Sequence, residues 1–247
     1  MFNQKQNKIF KGSIFLLISM SLVIALLITC KKKQEQSNSS QNTVNTSQMQ
    51  ARFKTIATVE PGPNQKWLAT ISKGERVSVY SEEKTILVGN KDVTYVKVSL
   101  SGVGDGWMNK SHLTESMAVI TKLEGGLKSR PSKMAPMSPT SNNAVLGSLV
   151  EVHKIEKVDD GEYAEISGYI FGQGFRGWIS TNYLSFSDED IIFSSQIEDA
   201  YYTLTNPKST ETQFGDASEK LDNIANAPYA SDHILKYAQR VIELTSP

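Results

Sequence analysis

The phrase Gly106-Trp107-Met108, followed by Leu113, recurs 71 residues later as Gly177-Trp178-Ile179, followed by Leu184. A chain with only 3 tryptophans thus places two of them at matching positions of one pattern. The duplication reaches upstream. "KGERVSVY" carries Gly74, Val77 and Val79, and "LGSLVEVHKI" carries Gly147, Val150 and Val152, both Gly-x-x-Val-x-Val. Between that alternation and the Gly-Trp lies a second one, "TYVKVSL" in the first copy and "EYAEISGYI" in the second. Alternation at period two, broken by Gly, Asp, Asn and Ser, predicts four or five short strands per copy and no helix between them. Such units close as small antiparallel barrels.

In a barrel of this size Gly-Trp has a mechanical use. Glycine permits a close backbone approach, and the indole covers one end of a core too small to close itself. At this point the strands, the aromatic-led hairpin and Gly-Trp-[Ile/Met]-x4-Leu resemble the bacterial SH3 domain. "LKSRPS" (Leu127–Ser132) and, more loosely, "ATVEPGP" (Ala57–Pro63) stand where that family has its lead-in. The resemblance implies a mainly β fold, two small SH3-like antiparallel barrels in tandem over 51–116 and 117–187. It also implies non-catalytic binding in a cell envelope.

The second copy's hairpin tip reads "GYIFGQGF", with Tyr169, Phe171 and Phe175 among Gly168, Gly172 and Gly174. Aromatics on such a tip stack on sugars or grip apolar peptide side chains; the alternative is that they fold back onto the barrel. With Trp178 and Trp107 they are the candidate ligand-binding residues. The same tip spells G-x-G-x-x-G from Gly172 to Gly177, but a strand follows where a dinucleotide site needs a helix N-terminus. Pro136-Met137-Ser138-Pro139 reads as a stiffened loop rather than a self-ligand. His112, His153 and His233 stand apart, without metal-ligand spacing, and the single cysteine has no catalytic partner. The expectation is no enzyme, no metal and no cofactor.

That cysteine, Cys30, follows a basic start (Lys5, Lys8, Lys11) and an apolar run from Ile14 to Ile28. The run is short for a permanent span, which takes ~20 residues, and has the form of a secretory signal. "LLITC" resembles a bacterial lipobox, with Thr29 departing from the usual small residue. The resemblance implies cleavage after residue 29 and acylation of Cys30 with a fatty chain such as palmitate. An uncleaved anchor is the alternative, and either way the chain is exported and held at a membrane. Residues 30–50 are almost wholly polar and read as a disordered tether.

Residues 188–247 change character: they hold 4 basic and 11 acidic side chains, against 16 and 14 in 51–187. Neither region has the basic patch that nucleic acid requires. Here the apolar period becomes helical. Ile192, Phe193, Ile197, Ala200, Tyr201 and Leu204 predict one helix, Leu221 and Ile224 a second capped by Asp216 or Ser218, and a stripe from Ile234 to Leu244 a third capped by Ser231. The sum is an envelope lipoprotein, periplasmic or surface-exposed, that binds peptidoglycan, its stem peptides or another envelope protein. The alternative is a surface-displayed protein engaging extracellular or host macromolecules.

Overall fold

The computed structural model describes residues 46–246. The expected signal segment, Cys30 and the tether as far as residue 45 lie outside the described residues.

Two curled antiparallel sheets, each a half-barrel, are followed by three helices. The first sheet holds β1 (Thr46–Ala51), β2 (Thr55–Thr58), β3 (Trp67–Ile71), β4 (Arg76–Val88), β5 (Lys91–Leu100), β6 (Gly104–Asn109) and β7 (Leu113–Thr114). The second holds β8 (Met117–Ile120), β9 (Leu149–Val158), β10 (Gly161–Ile170), β11 (Gln173–Ser180) and β12 (Leu184–Ser185). Strands run β3-β2-β6-β5-β4-β1-β7 in one and β11-β10-β9-β8-β12 in the other. Without β2 and β3 the orders are identical, so the duplicated phrase is a duplicated topology. Backbone bonds repeat with it. Gly74 N–H donates to Ala51 O at 2.7 Å, and Gly147 N–H to Ile120 O at 2.8 Å. Arg52 N–H donates to His112 O at 2.9 Å, and Thr121 N–H to Tyr183 O at 2.8 Å.

The glycine of Gly-Trp is explained by what crosses it. A Cβ on Gly177 would lie 2.9 Å from Lys128 O, and one on Gly106 would lie 2.6 Å from Leu68 Cδ2 and 3.2 Å from Thr58 O. In each copy a segment passes over this glycine and pairs beside the tryptophan, Thr58 with Trp107 and Lys128 with Trp178. At Gly177 the backbone oxygen leaves no room for a Cβ, whereas at Gly106 a Cβ would first displace the Leu68 methyl.

The tether expected over 30–50 is corrected at its end. Thr46–Gln50 pairs with β4 from Tyr80 to Arg76 despite its polar composition. A ladder between two strands satisfies the backbone whatever the side chains. Gln50 is itself buried, donating to Gly74 O at 3.1 Å and accepting from Met117 N–H at 2.8 Å.

The helices are α1 (Asp188–Thr205), α2 (Glu211–Ala225) and α3 (Asp232–Thr245). Asp188, Glu189 and Asp190 fill the first turn of α1, where the helix dipole favours them. The cap of α2 is Thr210, which forms a capping box with Gln213, rather than Asp216 or Ser218. Ile192 and Leu244, expected on inward faces, are exposed, and Ile191 is buried in place of Ile192. The first sheet keeps a core of its own around Val96, Val98 and Met108. The second shares one continuous core with all three helices, Ile166 and Leu149 joining Ile197, Leu221 and Tyr237.

Candidate functional site

The first repeat is fastened to the rest by charges of opposite sign on its two sides. Arg52 pairs with Glu151 at 2.7 Å, Lys54 with Asp199 at 3.0 Å, Lys73 with Glu198 at 2.6 Å and Arg76 with Asp188 at 2.7 Å. Every cation comes from the first repeat; the acids come from β9 and α1. Three of these pairs have at least one well-exposed partner and contribute ~0–1 kcal/mol each. Lys73–Glu198 differs. Glu198 is only 3% exposed, accepts from Leu149 N–H at 3.2 Å, and Lys73 donates to Leu149 O at 3.3 Å. Burial pushes the Glu198 carboxyl up, and Lys73 opposes that shift. A residue from each side thus holds both backbone groups of Leu149, pinning the junction.

Above this junction lies a groove of about 460 Å³. Three aromatic rings on its rim face solvent: Phe53 (45% exposed), Tyr169 (59%) and Tyr202 (42%). Phe53 packs on the His112 ring at 4.7 Å, and His112 in turn shares a 2.7 Å hydrogen bond with Thr55. Burial, and then Arg52, lowers the His112 pKa, so the imidazole supporting Phe53 is neutral at pH 7. Burial and the nearby Glu198 raise the Tyr202 pKa, keeping its phenol protonated.

The five aromatics read from the sequence are not brought together. Tyr169 alone stands free and lines the groove. Phe175 is 4% exposed and lies in the core under Gly168, so it is corrected from ligand contact to packing. Phe171 takes a left-handed backbone, φ 51°, and lays its ring on Tyr201 at 4.6 Å, inward rather than toward a ligand. Trp107 is 7% exposed beneath the Lys84 ammonium, 4.7 Å from the ring centre, and Trp178 is half-buried beside Lys128. Sequence reasoning missed Phe53 and Tyr202. Both sit in stretches with no special spacing, and only the folding of β1 and α1 against the second repeat carries them to Tyr169.

One trio resembles catalytic machinery. Ser231 Oγ lies 3.0 Å from His233 Nε2 and donates to Asp190 Oδ1 at 2.7 Å, while His233 Nε2 is 3.2 Å from Asp190 Oδ2. Hydroxyl and carboxylate meet the same ring nitrogen, so no proton path runs through the imidazole from one to the other. The trio ties the start of α3 to the start of α1. Burial pushes the Asp190 carboxyl up, but hydrogen bonds from Ser185 and Ser231 and the nearby His233 outweigh it and hold the pKa below its ordinary value. No group of three or more His, Cys, Asp or Glu able to hold a metal occurs among the described residues.

This is a tandem-repeat β protein, buttressed by helices, with an open aromatic-rimmed groove at the joint. The chain belongs to the Lipoprotein LenA family, which matches residues 15–235 and so spans Cys30, both repeats and the helices as far as the start of α3. It is a lipoprotein. Comparison with curated proteins yields no match. Among the described residues no helix is long and apolar enough to cross a membrane.

Proposed function

We propose that this protein is a non-catalytic lipoprotein that displays a binding head on the cell surface and captures an extracellular macromolecule in the groove between its repeats. Acylation of Cys30 holds it at the membrane, and the polar stretch before Thr46 spaces the head from it. The shared five-strand order supports reading both repeats as bacterial SH3-like modules, and membership of a lipoprotein family supports the anchor. The observation that carries the reading is the convergence of Phe53, Tyr169 and Tyr202, all exposed, on one groove. Exposed aromatics scattered singly mean little, whereas several on one concave, rigidly buttressed surface mark an interaction site.

The test is protease treatment of intact cells, followed by detection of the head with an antibody raised against it. Loss of the head with an intact cytoplasmic control supports surface display. Full protection until the envelope is permeabilised overturns it. That outcome favours a second reading, wall binding by the SH3-like repeats, which co-sedimentation of the full chain with purified sacculi then checks.

A further inference from the structure

We infer that the groove between the repeats recognises an uncharged oligosaccharide. The inference rests on the groove being the binding site, as proposed above, and adds its ligand chemistry. The first argument is charge. The three cations that line the groove, Arg52, Lys54 and Lys73, are each already paired with a lining carboxylate, Glu151, Asp199 and Glu198. A charged ligand meets no unpaired opposite charge here and would have to break an ion pair to find one. An uncharged ligand leaves the pairs intact.

The second argument is where the apolar surface lies. Met117 and Leu149 line the groove but are only 2% and 1% exposed, and Lys73 and Glu198 both bond the Leu149 backbone. No apolar pit remains for a leucine or phenylalanine side chain to enter. The accessible apolar surface is instead the rings of Phe53, Tyr169 and Tyr202. A ligand that offers flat C–H faces to rings and a hydroxyl perimeter to charged groups fits this arrangement, and a pyranose chain has that form. The Arg52 guanidinium and Lys54 ammonium donate, and the Asp199 carboxylate accepts, so hydroxyls find both kinds of partner. The rim is also preorganised: Phe53 is held by His112, and Tyr169 is carried on a paired strand, opposite Gly174. Rigid aromatic platforms lose little entropy on binding. A volume of about 460 Å³ lies within the ~300–1,000 Å³ range of ligand sites.

The experiment is calorimetric titration of the full chain, in micelles of a detergent without a sugar headgroup. The probes are chitotetraose and laminaritetraose, with a heparin hexasaccharide as the charged control. The expected result is one-to-one binding of at least one neutral probe, unchanged by raising the salt concentration because no counterions are released. Tyr169→Ala and Tyr202→Ala each weaken it about tenfold, the size of one lost aromatic contact, while Tyr169→Phe retains it within about threefold because the stacking face remains. Binding of neither neutral probe, binding untouched by Tyr169→Ala, or stronger and salt-dependent heparin binding overturns the inference. Capture of surface-derived macromolecules by the wild-type chain, measured beside Tyr169→Ala, separates the two readings. If capture falls with the variant while neither tetraose binds, the groove stands and the saccharide fails. If capture is unaffected, both fall.

Discussion

The two repeats share a phrase, a strand order and a set of backbone bonds, yet they are stabilised differently. The first elaborates its crossing segment into the β2–β3 hairpin and keeps a core of its own. The second leaves the equivalent stretch as a loop with one bridge, Lys128 to Met137, and shares its core with the helices. Gly74 and Gly147 make the point locally. Both adopt left-handed turns, φ 79° and 82°, after equivalent positions. A Cβ on Gly74 would meet the Ile191 side chain of α1, and one on Gly147 would meet Tyr237 and the His233 carbonyl of α3. A turn that merely reverses the chain in an isolated barrel has become, in both copies, a seat for a helix. The two copies share one scaffold, and the second packs its core against the helices while the first does not.

The sharpest way to break this picture is at the joint. Lys73→Met leaves Glu198 buried without its cation and destabilises the protein by about 3–5 kcal/mol at pH 8, read by denaturant unfolding. Because burial raises the folded-state pKa of Glu198, its contribution is most favourable below the ordinary glutamate value and is lost as pH rises through the folded value. Without Lys73 that pKa rises further, so the variant's deficit narrows as pH falls. Arg52→Met, removing a cation that is 40% exposed, costs no more than ~1 kcal/mol. Equal losses at the two positions would mean that the joint has no buried anchor.

Next in size is the glycine comparison. Gly147→Ala combines left-handed strain with overpacking against a backbone carbonyl, about 2–4 kcal/mol together. Gly74→Ala meets side-chain rather than backbone atoms, Ile191 Cγ2 at 2.5 Å and Leu149 Cδ2 at 3.2 Å, and its loss is expected to be smaller, about 1–3 kcal/mol. The same measurement on both variants tests whether the second repeat depends more heavily on its helix. A reversed order would place the stronger dependence on the first.

These differences bear on what the sequence makes visible. Strands and their order follow from period-two patterns that each copy writes locally, and Gly-Trp marks a crossing because a missing Cβ is a local requirement. The start of β1 was hidden. Thr46–Gln50 is polar, and its pairing with β4 and β7 is a long-range fact, so a fragment cut at residue 51 would remove a strand. Ser231 was legible as a cap, but its hydroxyl serves Asp190, a partner 41 residues away. The groove was the least legible part. Tyr169 stood out among its glycines, whereas Phe53 and Tyr202 gain meaning only from tertiary packing, and Phe175 lost its expected role because Gly168 leaves room for its ring.

That last exchange gives a third prediction. Phe175 fills core volume that Gly168 vacates, so Phe175→Ala opens a cavity and is expected to cost about 3 kcal/mol. Tyr169, six residues earlier on the partner strand, projects into water, and Tyr169→Ala stays within about 0.5 kcal/mol. Parity between the two would return both rings to the surface.

The smallest effect concerns how α3 is held to α1. Asp190 receives hydrogen bonds from Ser185 and Ser231 and faces His233, and its folded-state pKa is lowered even though burial alone would raise it. Its stabilising contribution is therefore present above the ordinary carboxylate value, ~4, and is lost as pH falls through the lowered folded value. Asp190→Asn is expected to cost about 1 kcal/mol near pH 7 and to converge on the wild type in strong acid. Thermal unfolding followed from pH 7 downward tests this, with Asp188→Asn as the control. Asp188 lies in the same first turn of α1 but pairs with Arg76 of the first repeat, outside the trio, so it controls for the loss of a neighbouring carboxylate. If Asp190→Asn instead runs parallel to the wild type at every pH, the trio is packing alone. The attachment of α3, and with it the extra stability of the second repeat, would then rest on the apolar seat at Gly147.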